Sequence, residues 1–217
     1  MKISPFTKSY SEKTVLTLPE FELEQGKIYA VIGGNGSGKS TLAKVLSGVV
    51  KPDGGKAPIE ACAIGYMPQK SYAFRMSVMK NLLQNGGDKE KAAELLSKMK
   101  ISHLADGKAH KLSGGETARM ALCRLFMREY ELLILDEPTA AMDMESTLLA
   151  EELIREYKSA SGCTVILITH SISQAARLSD YTLFFSEGEL AEFGETSQVL
   201  NAPQNPKTAE FLEFNSK

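Results

Sequence analysis

Three stretches of the chain are apolar at almost every position: Ile28 to Ile32, Leu132 to Leu135 and Val165 to Ile168. A strand with one wetted face alternates apolar and polar residues, whereas a strand covered on both faces does not. The three runs therefore predict strands of a parallel sheet flanked by helices, and each ends in polar residues able to do chemistry. Ligands of open α/β sheets bind outside the carboxyl ends of the strands, so the residues after Ile32, the pair Asp136-Glu137 and His170 are expected to gather at one site. Helical spacing runs through Thr41 to Leu46, Met76 to Leu83, Lys89 to Met99 and Thr117 to Tyr130, where Ala118, Ala121, Leu122, Leu125 and Phe126 recur. The second and third of these suggest a helical insertion over roughly residues 70 to 112. Turn-rich stretches at Lys51-Pro52-Asp53-Gly54-Gly55 and Asn85-Gly86-Gly87-Asp88 read as loops within one domain.

The first apolar run leads into Gly33-Gly34-Asn35-Gly36-Ser37-Gly38-Lys39-Ser40-Thr41, a G-x-x-x-x-G-K-S loop between a strand and a helix. The glycines let backbone N–H groups turn inward around a polyphosphate, Lys39 reaches the β- and γ-phosphates, and the Ser40 hydroxyl ligates Mg²⁺. The helix that follows adds the partial positive charge of its N-terminus. A glycine-rich turn with a chance lysine would need eight matched positions to coincide, so this loop predicts binding of a nucleoside triphosphate. It does not name a reaction, because kinases, GTPases, motors and transport ATPases share it.

Composition narrows the field. With 217 residues and 43% hydrophobic content the chain can bury one sizeable core, and one domain is expected. A formal net charge of −2 offers no basic stripe for a nucleic-acid backbone, so no nucleic-acid partner is expected. Cys62, Cys123 and Cys163 are an odd, widely spaced set without C-x-x-C, fitting reduced, buried thiols. His103 and His110 read as structural or solvated. No signal-peptide core precedes the first strand, and no apolar run approaches the roughly 20 residues needed to span a bilayer.

Leu112-Ser113-Gly114-Gly115-Glu116 opens the fourth helical run, so Ser113 and two glycines present a second helix N-terminus with exposed donors. A bare S-G-G also fits an N-capped helix after a loop. Followed by Leu132-Leu133-Ile134-Leu135-Asp136-Glu137-Pro138-Thr139-Ala140, it resembles the LSGGQ signature of the ATP-binding cassette ATPases. The rest of the chain resembles that family in order, from about Phe6 to the Phe211-Leu212 tail. Leu132 to Ala140 looks like its Walker B strand, Asp143 like its D-loop aspartate, Tyr66-Met67-Pro68-Gln69 like its Q-loop and Ile168-Thr169-His170 like its switch histidine. Tyr10 falls where the family places an aromatic that stacks on adenine, a role for which Phe6 competes. Glu116 departs from the commoner glutamine, and Cys123 from a small alanine.

The resemblance implies an α/β phosphate-loop NTPase core with a mostly parallel sheet, a small antiparallel β portion and a helical insertion. It implies one nucleotide-binding domain, with residues 1–69 and 113–217 as the core and 70–112 as a helical subdomain. ATP would contact Tyr10, Gly33 to Thr41, and, across a head-to-tail pair of copies, Ser113, Gly114, Gly115, Glu116 and Asp143. Mg²⁺ would be held by Ser40, Gln69 and Asp136; Glu137 would activate water, Lys39 would offset phosphate charge, and Gln69 and His170 would sense the γ-phosphate. Short spacings, 30 positions from Lys39 to Gln69 and 44 from Gln69 to Ser113, suggest a pared-down antiparallel portion and insertion.

The function so implied is the ATPase subunit of a transporter at the cytoplasmic face of the membrane, working with separate membrane-spanning permease subunits and an extracytoplasmic solute-binding protein. The ending Pro203 to Leu212 resembles that of importers for polar amino acids, phosphate and oxyanions such as tungstate or molybdate. An alternative is a soluble cassette ATPase serving cofactor assembly; a phosphate-loop kinase would leave LSGGE unexplained. Ser71 to Met79 packs aromatic, Met and Arg side chains, and Tyr72, Phe74 and Arg75 read as anchors for the membrane partner.

Overall fold

The computed structural model describes residues 1–60, 62–84 and 86–215, so Asn85 of the second turn-rich stretch lies outside the described residues. In chain order the elements are β1 (Lys2–Ile3), β2 (Phe6–Tyr10), β3 (Lys13–Leu18), β4 (Phe21–Glu22), β5 (Ile28–Gly33), α1 (Lys39–Leu46), β6 (Ile64–Met67), α2 (Val78–Leu82), α3 (Lys89–Lys98) and α4 (Gly114–Phe126). There follow β7 (Leu132–Asp136), α5 (Met144–Ser161), β8 (Thr164–Ile168), α6 (Ile172–Leu178), β9 (Tyr181–Ser186), β10 (Glu189–Glu195), α7 (Thr196–Asn201) and α8 (Pro206–Asn215). They divide into two compact units, one of Met1–Tyr66, Tyr130–Asp136 and Gly162–Lys217, the other of Met67–Glu129 and Glu137–Ser161.

The first unit is built on an eight-stranded sheet in the order β2-β3-β10-β9-β5-β8-β7-β6. Its centre is parallel: β5 pairs with β8 (Ala30 opposite Leu167) and with β9 (Ile32 opposite Phe184), and β7 pairs with β8 (Ile134 opposite Ile166). The β2-β3 and β9-β10 hairpins supply the antiparallel portion, and β1 with β4 makes a separate two-stranded ribbon. The three apolar runs are these central strands, and every residue of β5, β7 and β8 is buried.

Period-two geometry explains why β5 does not alternate. Tyr29 and Val31 enter one cluster with Leu42, Ala43, Val45 and Leu46 of α1, while Ala30 and Ile32 enter another with Ala175 of α6, Phe184 and Leu212 of α8. Each fully buried Val, Leu or Ile contributes about 1.5–3 kcal/mol through the area it removes from water. Both faces of the strand that carries the phosphate loop are thus fixed by packing.

The second unit is helical, with α2, α3 and α5 each packed against α4. Phe126 at the end of α4 stacks on Tyr157 of α5 with ring centroids 4.3 Å apart. Two expected helices are shorter than their periodicity. Helix α2 starts at Val78 because Ser77 is its N-cap, accepting from the Lys80 N–H at 3.2 Å. Helix α4 ends at Phe126 instead of reaching Tyr130, and the Arg128 carbonyl accepts from the Tyr157 hydroxyl at 2.7 Å.

Candidate functional site

The loop after β5 is shaped by its glycines. Gly33 has φ 148°, and a Cβ there would lie 2.2 Å from the Phe185 carbonyl oxygen. Gly38 is the N-cap of α1 with φ 100° and makes no side-chain capping bond to the first turn, and Gly34, Asn35 and Gly36 of the loop before it are exposed. Lys39 is 5% exposed, its ammonium donating to the carbonyls of Gly33 and Gly34 at 2.8 Å each and to Ser37 Oγ at 3.4 Å. These carbonyls offset the cost of burying the charge while keeping it across the mouth of the loop. Strand β3 runs beside the same helix head, with the Val15 carbonyl 3.1 Å from where a Cβ on Gly38 would sit. Ser40 and Thr41 occupy the first turn of α1, both half-buried.

At the end of β7, Asp136 is 1% exposed and accepts from Ser40 Oγ at 3.3 Å. Two hard oxygens at that separation suit Mg²⁺, whose neighbouring octahedral ligands lie about 3 Å apart when each sits about 2.1 Å from the ion. Tyr66 is also near: burial, with the Asp136 charge second, pushes its phenol up to about 12. Because β5, β8 and β7 are adjacent and parallel, their carboxyl ends bring the phosphate loop, His170 and Asp136 to one edge of the sheet. His170 is exposed there. Tyr10 ends β2, 46% exposed with Lys8 Nζ 5.1 Å from its ring centroid, whereas Phe6 is 8% exposed and belongs to the core. Of the two aromatics, Tyr10 is the one with a ring face to offer.

The second unit holds the remaining residues. Glu137 adopts φ 51°, a left-handed conformation rare for glutamate, and accepts from Gln69 Nε2 at 2.9 Å. At the head of α4 the Ser113 hydroxyl accepts from the Glu116 N–H at 3.3 Å. The Glu116 carboxylate accepts in return from the Ser113 N–H and hydroxyl, both at 2.8 Å, completing a capping box. Those bonds hold the Glu116 carboxyl below the usual range. Gly114 opens the helix; Gly115 cannot be larger, since a Cβ there would lie 2.8 Å from the Ala141 carbonyl oxygen. Asp143 accepts from the Ser146 N–H at 2.7 Å at the start of α5, which lowers its carboxyl pKa.

Two residues of this unit escaped the sequence reading. Asn81 is fully buried; its amide donates to the carbonyls of Phe74 (3.2 Å) and Ser77 (3.0 Å), and its oxygen accepts from the Phe74 N–H (2.9 Å) and Arg124 (3.1 Å). The Arg124 guanidinium also donates to the Tyr72 carbonyl at 3.1 Å and lies 4.8 and 5.1 Å from the Tyr72 and Phe74 ring centroids. The cation holding this aromatic pair is therefore Arg124, while Arg75 is exposed. Arg124 is 43 residues from Asn81, a separation at which no local spacing signal exists.

Set beside known proteins, residues 16–140 match the profile described as ABC transporter. The chain is 37% identical over 205 residues to the tungstate uptake system ATP-binding protein of Peptoclostridium acidaminophilum, covering 88% of this chain and 96% of that one. It is 34% identical to the molybdate/tungstate import ATP-binding protein of Methanocaldococcus jannaschii, covering 98% and 75% respectively. Among solved structures, a bacterial Atm1-family ABC exporter with ATP bound superposes with a TM-score of 0.87 at 26% identity, over all of this chain and 42% of that one. With the profile spanning more than half of its length and relatives of this similarity matched nearly end to end, the chain belongs to the ABC transporter family of ATP-binding ATPases.

Proposed function

We propose that this chain hydrolyses ATP, with Mg²⁺ held by Ser40, Gln69 and Asp136, to drive import of a solute through separate membrane-spanning permease subunits. The observation that carries the reading is Lys39 drawn across the phosphate loop at the same sheet edge where Asp136 meets Ser40 at 3.3 Å. Lys39 and the first-turn N–H groups of α1 bind the β- and γ-phosphates, Tyr10 packs on the base, and Glu137 takes the proton of the attacking water. The left-handed backbone at Glu137 aims that carboxylate, and Gln69 orients it. The metal supplies charge neutralisation at the γ-phosphate. His170 senses the γ-phosphate from the end of β8.

The 217 residues act as one nucleotide-binding domain, with residues 1–69 and 113–217 as its core and 70–112 as its helical subdomain. Two copies, or this chain and a paired ATPase subunit, close head to tail on ATP, with Ser113, Gly114, Gly115, Glu116 and Asp143 of one completing the site of the other. The Tyr72-Phe74 pair, stiffened by Asn81 and Arg124, docks the permease at the cytoplasmic face of the membrane, and a solute-binding protein delivers cargo outside. Among the described residues no helix is long and apolar enough to cross a membrane, which fits a separate permease. The names of the relatives favour a tungstate- or molybdate-like oxyanion as solute.

The test is Glu137→Gln, which keeps shape and removes the base. Phosphate release should fall by about 10²- to 10⁴-fold while ATP still binds. Turnover at the level of the unaltered protein would sink the assignment.

A further inference from the structure

The donors that the head of α4 has to offer an anion are few, and one anion already holds two of them. Ser113 presents a backbone N–H and a hydroxyl, and both point at one oxygen, Glu116 Oε2, at 2.8 Å. A carboxylate in the first turn also satisfies the partial positive charge of the helix end. Ser113 is exposed and Glu116 half-buried, so this arrangement lies at the surface that a phosphate would approach. The Arg119 charge reaches Glu116 and adds to the bonds that keep it ionised.

A phosphate arriving here has two routes. It can take the first-turn N–H groups of α4 while facing the carboxylate's negative charge, or it can displace the carboxylate and inherit the Ser113 donors. Both routes cost more free energy than they would against a neutral cap. A glutamine side chain has the same reach and closes the same capping box through its amide oxygen, without charge.

We propose that Glu116 is an internal competitor for phosphate at the signature turn, weakening the grip of Ser113 on the γ-phosphate of ATP bound to a second copy and so raising the ATP level at which two copies close. The proposal rests on the composite-site reading above. It gives the glutamate a consequence for mechanism: the pair opens more readily after hydrolysis, because the turn carries its own replacement for the departing anion.

The experiment is Glu116→Gln in the full-length chain, with ATP-dependent pairing on a sizing column and ATP-dependent phosphate release read side by side. At low salt the half-saturating ATP concentration should drop by about threefold to tenfold, the effect of removing one partly screened charge beside a phosphate. The difference should shrink at roughly 0.5 M salt, where the screening length is only a few ångströms. ADP affinity by calorimetry should not change, since ADP lacks the γ-phosphate. An unchanged or higher ATP requirement overturns the proposal, and so does a gain that ignores salt. Ser113→Arg separates the two layers: if it pairs and turns over normally, the composite site itself is wrong. If it fails while Glu116→Gln matches the unaltered protein, only the competitor role falls.

Discussion

At the head of α1 the N-cap is Gly38, left-handed and with no side chain to bond the first turn; at the head of α4 it is Ser113, tied by three hydrogen bonds to Glu116. Both are helix N-termini with glycines beside the cap, before it in α1 and after it in α4, and both are read as phosphate sites. The first leaves its donors open and brings a cation, Lys39, to the same place. The second closes part of its donor set with a carboxylate of its own. An anion therefore meets attraction at one head and competition at the other.

Lys39→Ala attacks the open head most severely. Losing charge-assisted bonds of about 1.5–3 kcal/mol should weaken ATP binding by roughly 10- to 100-fold, measured by calorimetry. An unchanged affinity would mean the open head is not the primary anion site. Gly38→Ala should cost about 1–3 kcal/mol of stability, because alanine disfavours φ 100° and its Cβ would sit 3.1 Å from the Val15 carbonyl. Ser113→Ala, losing a cap, should cost about 1 kcal/mol, a fall of about 2–4 °C in Tm for a chain of this size. If Gly38→Ala proved the milder of the two in thermal unfolding, the contrast between a conformational and a hydrogen-bonded helix head would not hold.

The sequence displayed the open head plainly, since its loop follows a run of residues that only a doubly covered strand explains. Strand ends shifted by a residue or so: β7 reaches Asp136 and β8 starts at Thr164. The N-cap of α4 was legible in Ser113-Gly114-Gly115, but the answering bonds of Glu116 and their competition for donors were not, because those depend on which oxygen meets which hydrogen. The β9-β10 hairpin went unnamed, and Thr182 shows one reason. This fully buried polar residue breaks the apolar run of β9, and its hydroxyl is satisfied by Thr196 at 3.0 Å, a partner fixed only by folding. Arg124 on an amphipathic helix looks like any solvated arginine until Asn81 and two rings close around it.

The order of strands in the sheet carries a cost in time. Strand β5 finishes at Gly33, yet its two neighbours are β8 and β9, which begin at Thr164 and Tyr181. During synthesis at roughly 5–20 residues per second, this apolar strand waits on the order of ten seconds for its partners to leave the ribosome. For that interval the five residues Ile28 to Ile32 are an unpaired β-forming segment without a charge among them, open to the wrong edge on a neighbouring nascent chain. The strand that makes the phosphate loop rigid in the finished protein is thus its point of greatest exposure to aggregation while it is being made.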